Sequence, residues 1–188
     1  MRVIAGRLGG RHLTAPRGRS TTRPTSDRVR EALFSMLGEL RQAVVLDLFA
    51  GTGALGIEAL SRGAGRVVFV ERDAAALDAL RANLARLELD VPEAEVRAGD
   101  ARAALRAARG RRETYDLVFV DPPYEQTRDL EDELSALLPG LLAPGARVVV
   151  ESDRRTPGEL PLEVVRRRRY GDTTITIHRH VTEDSDER

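Results

Sequence analysis

The sequence predicts an α/β fold, a Rossmann-like and mostly parallel sheet with helices on both sides, closed by antiparallel strands. Three observations carry that expectation. Short apolar runs alternate with segments whose leucines recur at helical spacing, the signature of βα units. The first of those runs, Val44 to Leu48, leads into the glycine-rich turn Gly51-Thr52-Gly53 and then into a second helical segment. Near the end, Tyr170-Gly171-Asp172 is a tight-turn sequence between two strand-like segments, so those two strands should run antiparallel.

In chain order, the first twenty residues read as two short strands around Gly9-Gly10, a hairpin. Residues 26–37 read as a helix capped by Ser26 or Asp27, with Leu33 and Leu37 on its buried side. Core strands are expected at 44–48, 67–71, 94–98, 116–121 and 146–151. The helix after the glycine turn should end at Gly63, a natural residue just past a C-cap. Helix 74–87 places Leu77, Leu80, Leu84 and Leu87 on one face, with Asp73 as its cap; helix 129–142 repeats the pattern with Leu130, Leu134, Leu137, Leu138 and Leu141. A further helix covers 101–109, and 109–112 reads as a loop. The closing strands fall at 162–169 and 173–179. Arg166–Arg169 lie on the first of them, so alternate side chains face opposite sides and at least two stay in water.

A chain of 188 residues is one domain by length, large enough for a real core. It has no cysteine, which excludes disulfides and thiolate metal sites. Of three histidines, His178 and His180 share a strand face and read as two surface side chains, so no metal is expected. The N-terminus lacks an apolar signal region and no run approaches the ~18 residues of a membrane span, so a soluble, cytoplasmic protein without membrane contact is expected. All 30 basic residues are arginine. Charge is unevenly placed: residues 1–30 hold eight arginines against Asp27, a net +7, while residues 183–188 sum to −3. This divides the chain into a basic hairpin arm (1–22), a catalytic domain (23–180) and an acidic disordered tail (181–188). The arm points to nucleic acid, with Arg2, Arg7, Arg11, Arg17 and Arg19 as phosphate contacts.

Gly51, Gly53 and Gly56 satisfy the dinucleotide-binding spacing, and Glu71 lies 20 residues past Gly51 at the end of the next strand. By spacing alone a nicotinamide cofactor is admissible. Asp47 argues against it, because a carboxylate just ahead of the glycines repels a pyrophosphate and attracts an ammonium such as that of S-adenosylmethionine. Ligands of open α/β sheets sit beyond the carboxyl ends of the strands, where Asp47, Glu71, Asp100 and Asp121 all fall. Asp100 could meet an adenine amine or cap the helix at 101. The fourth strand ends in Asp121-Pro122-Pro123-Tyr124. A carboxylate and a backbone carbonyl that both accept from an exocyclic NH2 pull its lone pair out of conjugation and aim it at an electrophilic methyl group. Two prolines stiffen the turn that presents them, and Tyr124 offers a face for base stacking.

These motifs, with Arg2-Val3-Ile4-Ala5-Gly6, the segment from Arg23 to Phe34 (RPTSDRVREALF) and the block from Asp47 to Ala64, resemble the RsmD-type methyltransferases over nearly the whole chain. The resemblance implies a class I S-adenosylmethionine-dependent methyltransferase fold: a seven-stranded sheet with its last strand antiparallel, behind a short hairpin and helix. It implies methylation of the N2 amine of a guanine in 16S ribosomal RNA, on the small subunit or an assembly intermediate. By the same likeness, S-adenosylmethionine contacts Asp47, Phe49, Gly51, Gly53, Glu71, Arg72, Asp100 and Ala101, with Arg23 and Thr25 beside it; Asp121, Pro122, Pro123 and Tyr124 hold the base. The expected oligomeric state is a monomer. Competing readings are an adenine-N6 methyltransferase, which shares the Asp-Pro-Pro-Tyr motif but needs a larger recognition region, a nicotinamide oxidoreductase, which leaves that motif unexplained, and a non-catalytic RNA-binding module, which leaves the carboxylates unexplained.

Overall fold

The computed structural model describes residues 1–16, 26–122, 127–153 and 160–181. Its helices are α1 (Asp27–Leu37), α2 (Ala54–Ser61), α3 (Ala74–Arg86), α4 (Ala101–Gly110) and α5 (Thr127–Leu137). Its strands are β1 (Val44–Asp47), β2 (Arg66–Glu71), β3 (Ala94–Ala98), β4 (Tyr115–Val120), β5 (Leu142–Asp153), β6 (Glu163–Tyr170) and β7 (Thr173–Arg179). They form a seven-stranded sheet in the order β3-β2-β1-β4-β5-β7-β6, the α/β class expected. Two compact units make up the chain, Met1–Ala101 and Arg102–Arg188.

In the first unit β1, β2 and β3 pair in parallel. Valine and phenylalanine fill β2, whose central residues are buried on both faces, as a parallel strand between helices requires. Ser26 caps α1 by accepting from the Val29 N–H, and Asp73 caps α3 by accepting from the Ala76 N–H at 2.8 Å.

The N-terminal residues depart from the expected pair of strands. One antiparallel bridge, Arg2 to His12, joins the two limbs, and tight turns take up most of the residues between them. The Val3 and Leu13 N–H groups donate across to the Arg11 and Met1 carbonyls at 2.9 Å, and side chains of the helices add to these bonds. The Ile4 and Ala5 N–H groups donate to the two oxygens of Glu58 at 2.7 and 3.1 Å, Leu8 N–H donates to Ser61 Oγ at 3.0 Å, and Thr14 N–H donates to Asn83 Oδ1 at 2.7 Å. Val3, Leu8 and Leu13 are buried in the same unit. The hairpin is thus docked on α2 and α3 through their buried polar groups. Arg30 lies beneath it, fully buried, donating to the Arg2 carbonyl and to Asp27. Burial lowers the Arg30 pKa, and this arginine does not belong to any solvent-facing basic surface.

In the second unit β4 and β5 are parallel, while β7 runs antiparallel to both β5 and β6. Helix α4 continues through Gly110, so Arg109 is helical and the expected loop shortens to the turn at 111–112. Helix α5 stops at Leu137 rather than 142 because Pro139 has no N–H to extend it; a 3-10 turn, Pro139–Leu141, follows and leads directly into β5. His178 is not a surface residue. β7 lies between β5 and β6, both of its faces are covered, and His178 is fully buried with Nδ1 3.4 Å from the Leu162 carbonyl. Among the described residues, no helix is long and apolar enough to cross a membrane.

Candidate active site

The site in the first unit is built on two carboxylates that end adjacent parallel strands. Asp47 closes β1 and is 2 % exposed. Its Oδ2 accepts from the Gly56 N–H at 3.1 Å, so the strand end is tied to the first turn of α2. Burial pushes its pKa up to about 7, helped by the charge of Glu71 and opposed by the N–H groups of Gly56 and Phe49. Glu71 closes β2 and lies nearer solvent. One of its oxygens accepts from the Gly51 N–H at 2.7 Å, and the other accepts from the Arg72 and Asp73 N–H groups at 2.7 and 2.8 Å.

Between them lies the glycine loop. Gly51 has φ 54°, and a Cβ built there would meet nothing within 4 Å, so its backbone faces open space where a ligand can approach. Gly56 serves a different need: a Cβ there would come within 2.2 Å of the Phe69 ring, so only glycine lets α2 pack this closely on β2. The Gly53 N–H donates to the Ala50 carbonyl at 2.7 Å. All three glycine N–H groups of the G-x-G-x-x-G pattern are therefore engaged within the protein, two of them by carboxylates.

Asp100 follows β3 immediately before α4, with Oδ2 3.9 Å from Arg72 Nη1, and Ala101 beside it is buried. Phe49 lies half-buried between Asp47 and the loop. The structure thus gathers Asp47, Phe49, Gly51, Gly53, Glu71, Arg72, Asp100 and Ala101 within the first unit, at or just beyond the carboxyl ends of β1, β2 and β3. In the second unit, Asp121 and Pro122 directly follow β4 and are half-buried. Arg17, Arg19, Arg23, Thr25, Pro123 and Tyr124 lie outside the described residues. Of the other arm residues, Arg2 faces Asp27 at 3.8 Å, Arg7 pairs with Glu93, and Arg11 is exposed. No group of three or more metal-ligating side chains occurs among the described residues.

The sequence does not reveal the roles of Glu58, Ser61 and Asn83. Asn83, fully buried in α3, donates from Nδ2 to the carbonyls of Thr14 and Thr52 at 3.1 and 3.0 Å, joining the hairpin to the glycine loop. Its signal was a polar side chain on the leucine face, three residues after Leu80 and next to Leu84.

Comparison with known proteins shows the family. The model of the family described as Conserved hypothetical protein 95 matches residues 1–179. Ribosomal RNA small subunit methyltransferase D of Escherichia coli is 41% identical over 160 residues, covering 81% of this chain and 75% of that protein. The solved structure of the Escherichia coli protein yhhF is 36% identical with a TM-score of 0.83, covering 97% of this chain and 99% of that one. An RNA methyltransferase from Salinibacter ruber, solved with S-adenosyl-L-homocysteine, shares the fold at 21% identity and a TM-score of 0.64, covering 88% of this chain and 98% of that one. With the matched family model spanning all but the last nine residues, the chain belongs to the Conserved hypothetical protein 95 family, the RsmD-type ribosomal RNA methyltransferases.

Proposed function

We propose that this protein transfers the methyl group of S-adenosylmethionine to the exocyclic N2 amine of a guanine in 16S ribosomal RNA of the small subunit. The observation that carries the cofactor class is the engagement of the glycine N–H groups. A dinucleotide site offers such groups to a pyrophosphate. Here Gly51 and Gly56 give theirs to Glu71 and Asp47, and the charge of Glu71, joined by that of Asp47 once it ionises, repels an anion and favours a ligand bearing an ammonium and a sulfonium. The backbone at Gly51 is open to an approaching ligand, where the adenosyl portion would lie, and Glu71 retains acceptor capacity toward ribose hydroxyls.

When bound, S-adenosylmethionine supplies a methyl group already activated by its cationic sulfur, so the chain's residues have to position and polarise. Asp121 and the Pro122 carbonyl accept from the guanine NH2 and free its lone pair for in-line attack. The new N–C bond forms as the S–C bond breaks, the electron pair stays on sulfur, and the surplus proton on nitrogen passes to Asp121 or water. Positioning of this kind contributes several kcal/mol. Exposed arginines of the hairpin, Arg11 above all, contact RNA phosphates.

The test is label transfer from S-adenosylmethionine to small subunits lacking the modification, by the native protein and by Asp121→Ala. The variant should bind S-adenosylhomocysteine within a few-fold of native and lose roughly two orders of magnitude or more in transfer rate. Absence of transfer by the native protein, or native rates in the variant, contradicts the reading.

A further inference from the structure

We propose that the edge strand β6 is an RNA-binding stripe, on which Arg166, Arg168 and Arg169 contact the sugar-phosphate backbone of the strand that carries the target base. This inference rests on the reading of the substrate as RNA.

Strand β6 ends the sheet order, and every residue from Glu163 to Arg169 is exposed. A strand with neither face in the core is unusual, and apolar burial does not explain what keeps it in the fold. Val164 and Val165 are 48% and 43% exposed, so the strand does not cover a core of its own. Four consecutive arginines fill its second half. Some arginines elsewhere meet carboxylates: Arg66 and Arg97 share Glu95, and Arg106 holds Glu133. Arg166, Arg168 and Arg169 have no such ion pair among the described residues, and only Glu163 and Asp172 carry negative charge within the β6–β7 hairpin. Arg167 turns instead to its neighbour on β7, donating to Thr176 Oγ1 at 3.3 Å. Uncompensated guanidiniums lined along an edge are complementary to a chain of phosphates, which each fork can meet with two hydrogen bonds.

The register relates this stripe to the end of β4. Val120 pairs with Val150, Val150 with Thr176, and Thr176 with Arg167, so Arg167 lies on the row of Val120 three strands away, at roughly 14 Å by ordinary strand spacing. Two antiparallel steps leave β6 parallel to β4 and β5. Arg168, Arg169 and Tyr170 therefore advance toward the same sheet end that Asp121 and Pro122 occupy. A strand of RNA held at Asp121 can follow the row outward and meet the arginines within a few nucleotides.

Charged edge strands also serve to block edge-to-edge association, and the experiment separates the two roles. Affinity for small subunits lacking the modification is measured at several salt concentrations for the native protein, for R166Q/R168Q/R169Q and for R166K/R168K/R169K, with S-adenosylhomocysteine affinity as a folding control. The glutamine variant should bind at least about tenfold more weakly, with a slope of log K against log salt shallower by about 2, since each lost phosphate contact removes about 0.7. The lysine variant should keep the native slope, and both should bind S-adenosylhomocysteine normally. Native affinity and slope in the glutamine variant overturn the proposal, and new self-association of that variant in light scattering then assigns the arginines to edge protection. A native protein that binds subunits through these arginines yet transfers no methyl group contradicts the proposed function and leaves the stripe standing.

Discussion

Asn83 Nδ2 donates to the Thr52 carbonyl at 3.0 Å while its Oδ1 accepts from the Thr14 N–H at 2.7 Å, so one buried amide fastens the N-terminal hairpin to the glycine loop. Replacing it with leucine keeps the branched shape, adds some volume and removes every one of these bonds. Asn83→Leu should lower unfolding stability by about 1–3 kcal/mol, measured by urea titration, because buried polar groups lose their partners. It should also weaken S-adenosylhomocysteine binding, since the loop loses a support; a variant as stable as native would show that the amide is dispensable.

Gly6 tests how firmly the hairpin is seated. A Cβ at this position would come within 1.8 Å of the Ser61 carbonyl oxygen, a backbone atom that cannot step aside, and φ is 83°. Gly6→Ala should displace the hairpin and strip the Glu58 carboxylate of its Ile4 and Ala5 donors, leaving Arg62, 2.7 Å away, as its ion-pair partner. Loss of hydrogen bonds to a buried charged group of that kind costs about 1.5–3 kcal/mol. Thermal denaturation reads it, and an unchanged midpoint would mean that the hairpin is only loosely attached.

Asp47 gives the first unit a pH dependence. Its folded pKa of about 7 lies above the usual carboxylate value, so between about pH 4 and 7 the folded protein binds more of this proton than the unfolded chain does. Stability from this group is fully present below the unfolded pKa and declines as pH rises, levelling off above about 7. The difference in unfolding free energy between Asp47→Asn and native protein should therefore grow in the variant's favour from pH 4 to 8, by a few kcal/mol at most. Urea titrations across that range measure it; a flat difference would mean that Asp47 ionises normally.

Glu71 holds the Gly51 N–H, and in the proposed function it also meets the ribose of the cofactor. Glu71→Ala should weaken S-adenosylmethionine and S-adenosylhomocysteine alike by about 1–3 kcal/mol, the range for lost charge-assisted hydrogen bonds. Calorimetry should find no NAD binding to the native protein. Tight NAD binding would reinstate an oxidoreductase.

Much of this fold was legible because its signals are local. Leucine spacing located α3, the glycine turn and its flanking apolar runs located β1 and β2, and Tyr170-Gly171-Asp172 paired β6 with β7 antiparallel. What escaped depends on partners distant in sequence. Glu58 and Ser61 sit in an apolar helix with nothing nearby to show that they bind residues 53 or more positions away, and Asn83 reaches Thr14 across 69. His178 looked exposed because strand alternation does not reveal that β7 lies inside the sheet. Arg30 counted toward a basic arm in composition, whereas the fold buries it under the Arg2 carbonyl. The glycine spacing alone admits two cofactors; Asp47 already weighed against the dinucleotide in the sequence, and the bonds from Gly51 and Gly56 to carboxylates depend on contacts that spacing does not reveal.

The chemical identity of the modified nucleoside tests the central claim most directly. Small subunits lacking the modification are incubated with this protein and S-adenosylmethionine, and the 16S ribosomal RNA is digested to nucleosides for mass spectrometry. N2-methylguanosine is the expected product, formed at a rate that Asp121→Ala lowers by roughly two orders of magnitude or more. N6-methyladenosine would assign the Asp121-Pro122 end of β4 to a different base, and RNA without any new methyl group would contradict the enzyme assignment itself.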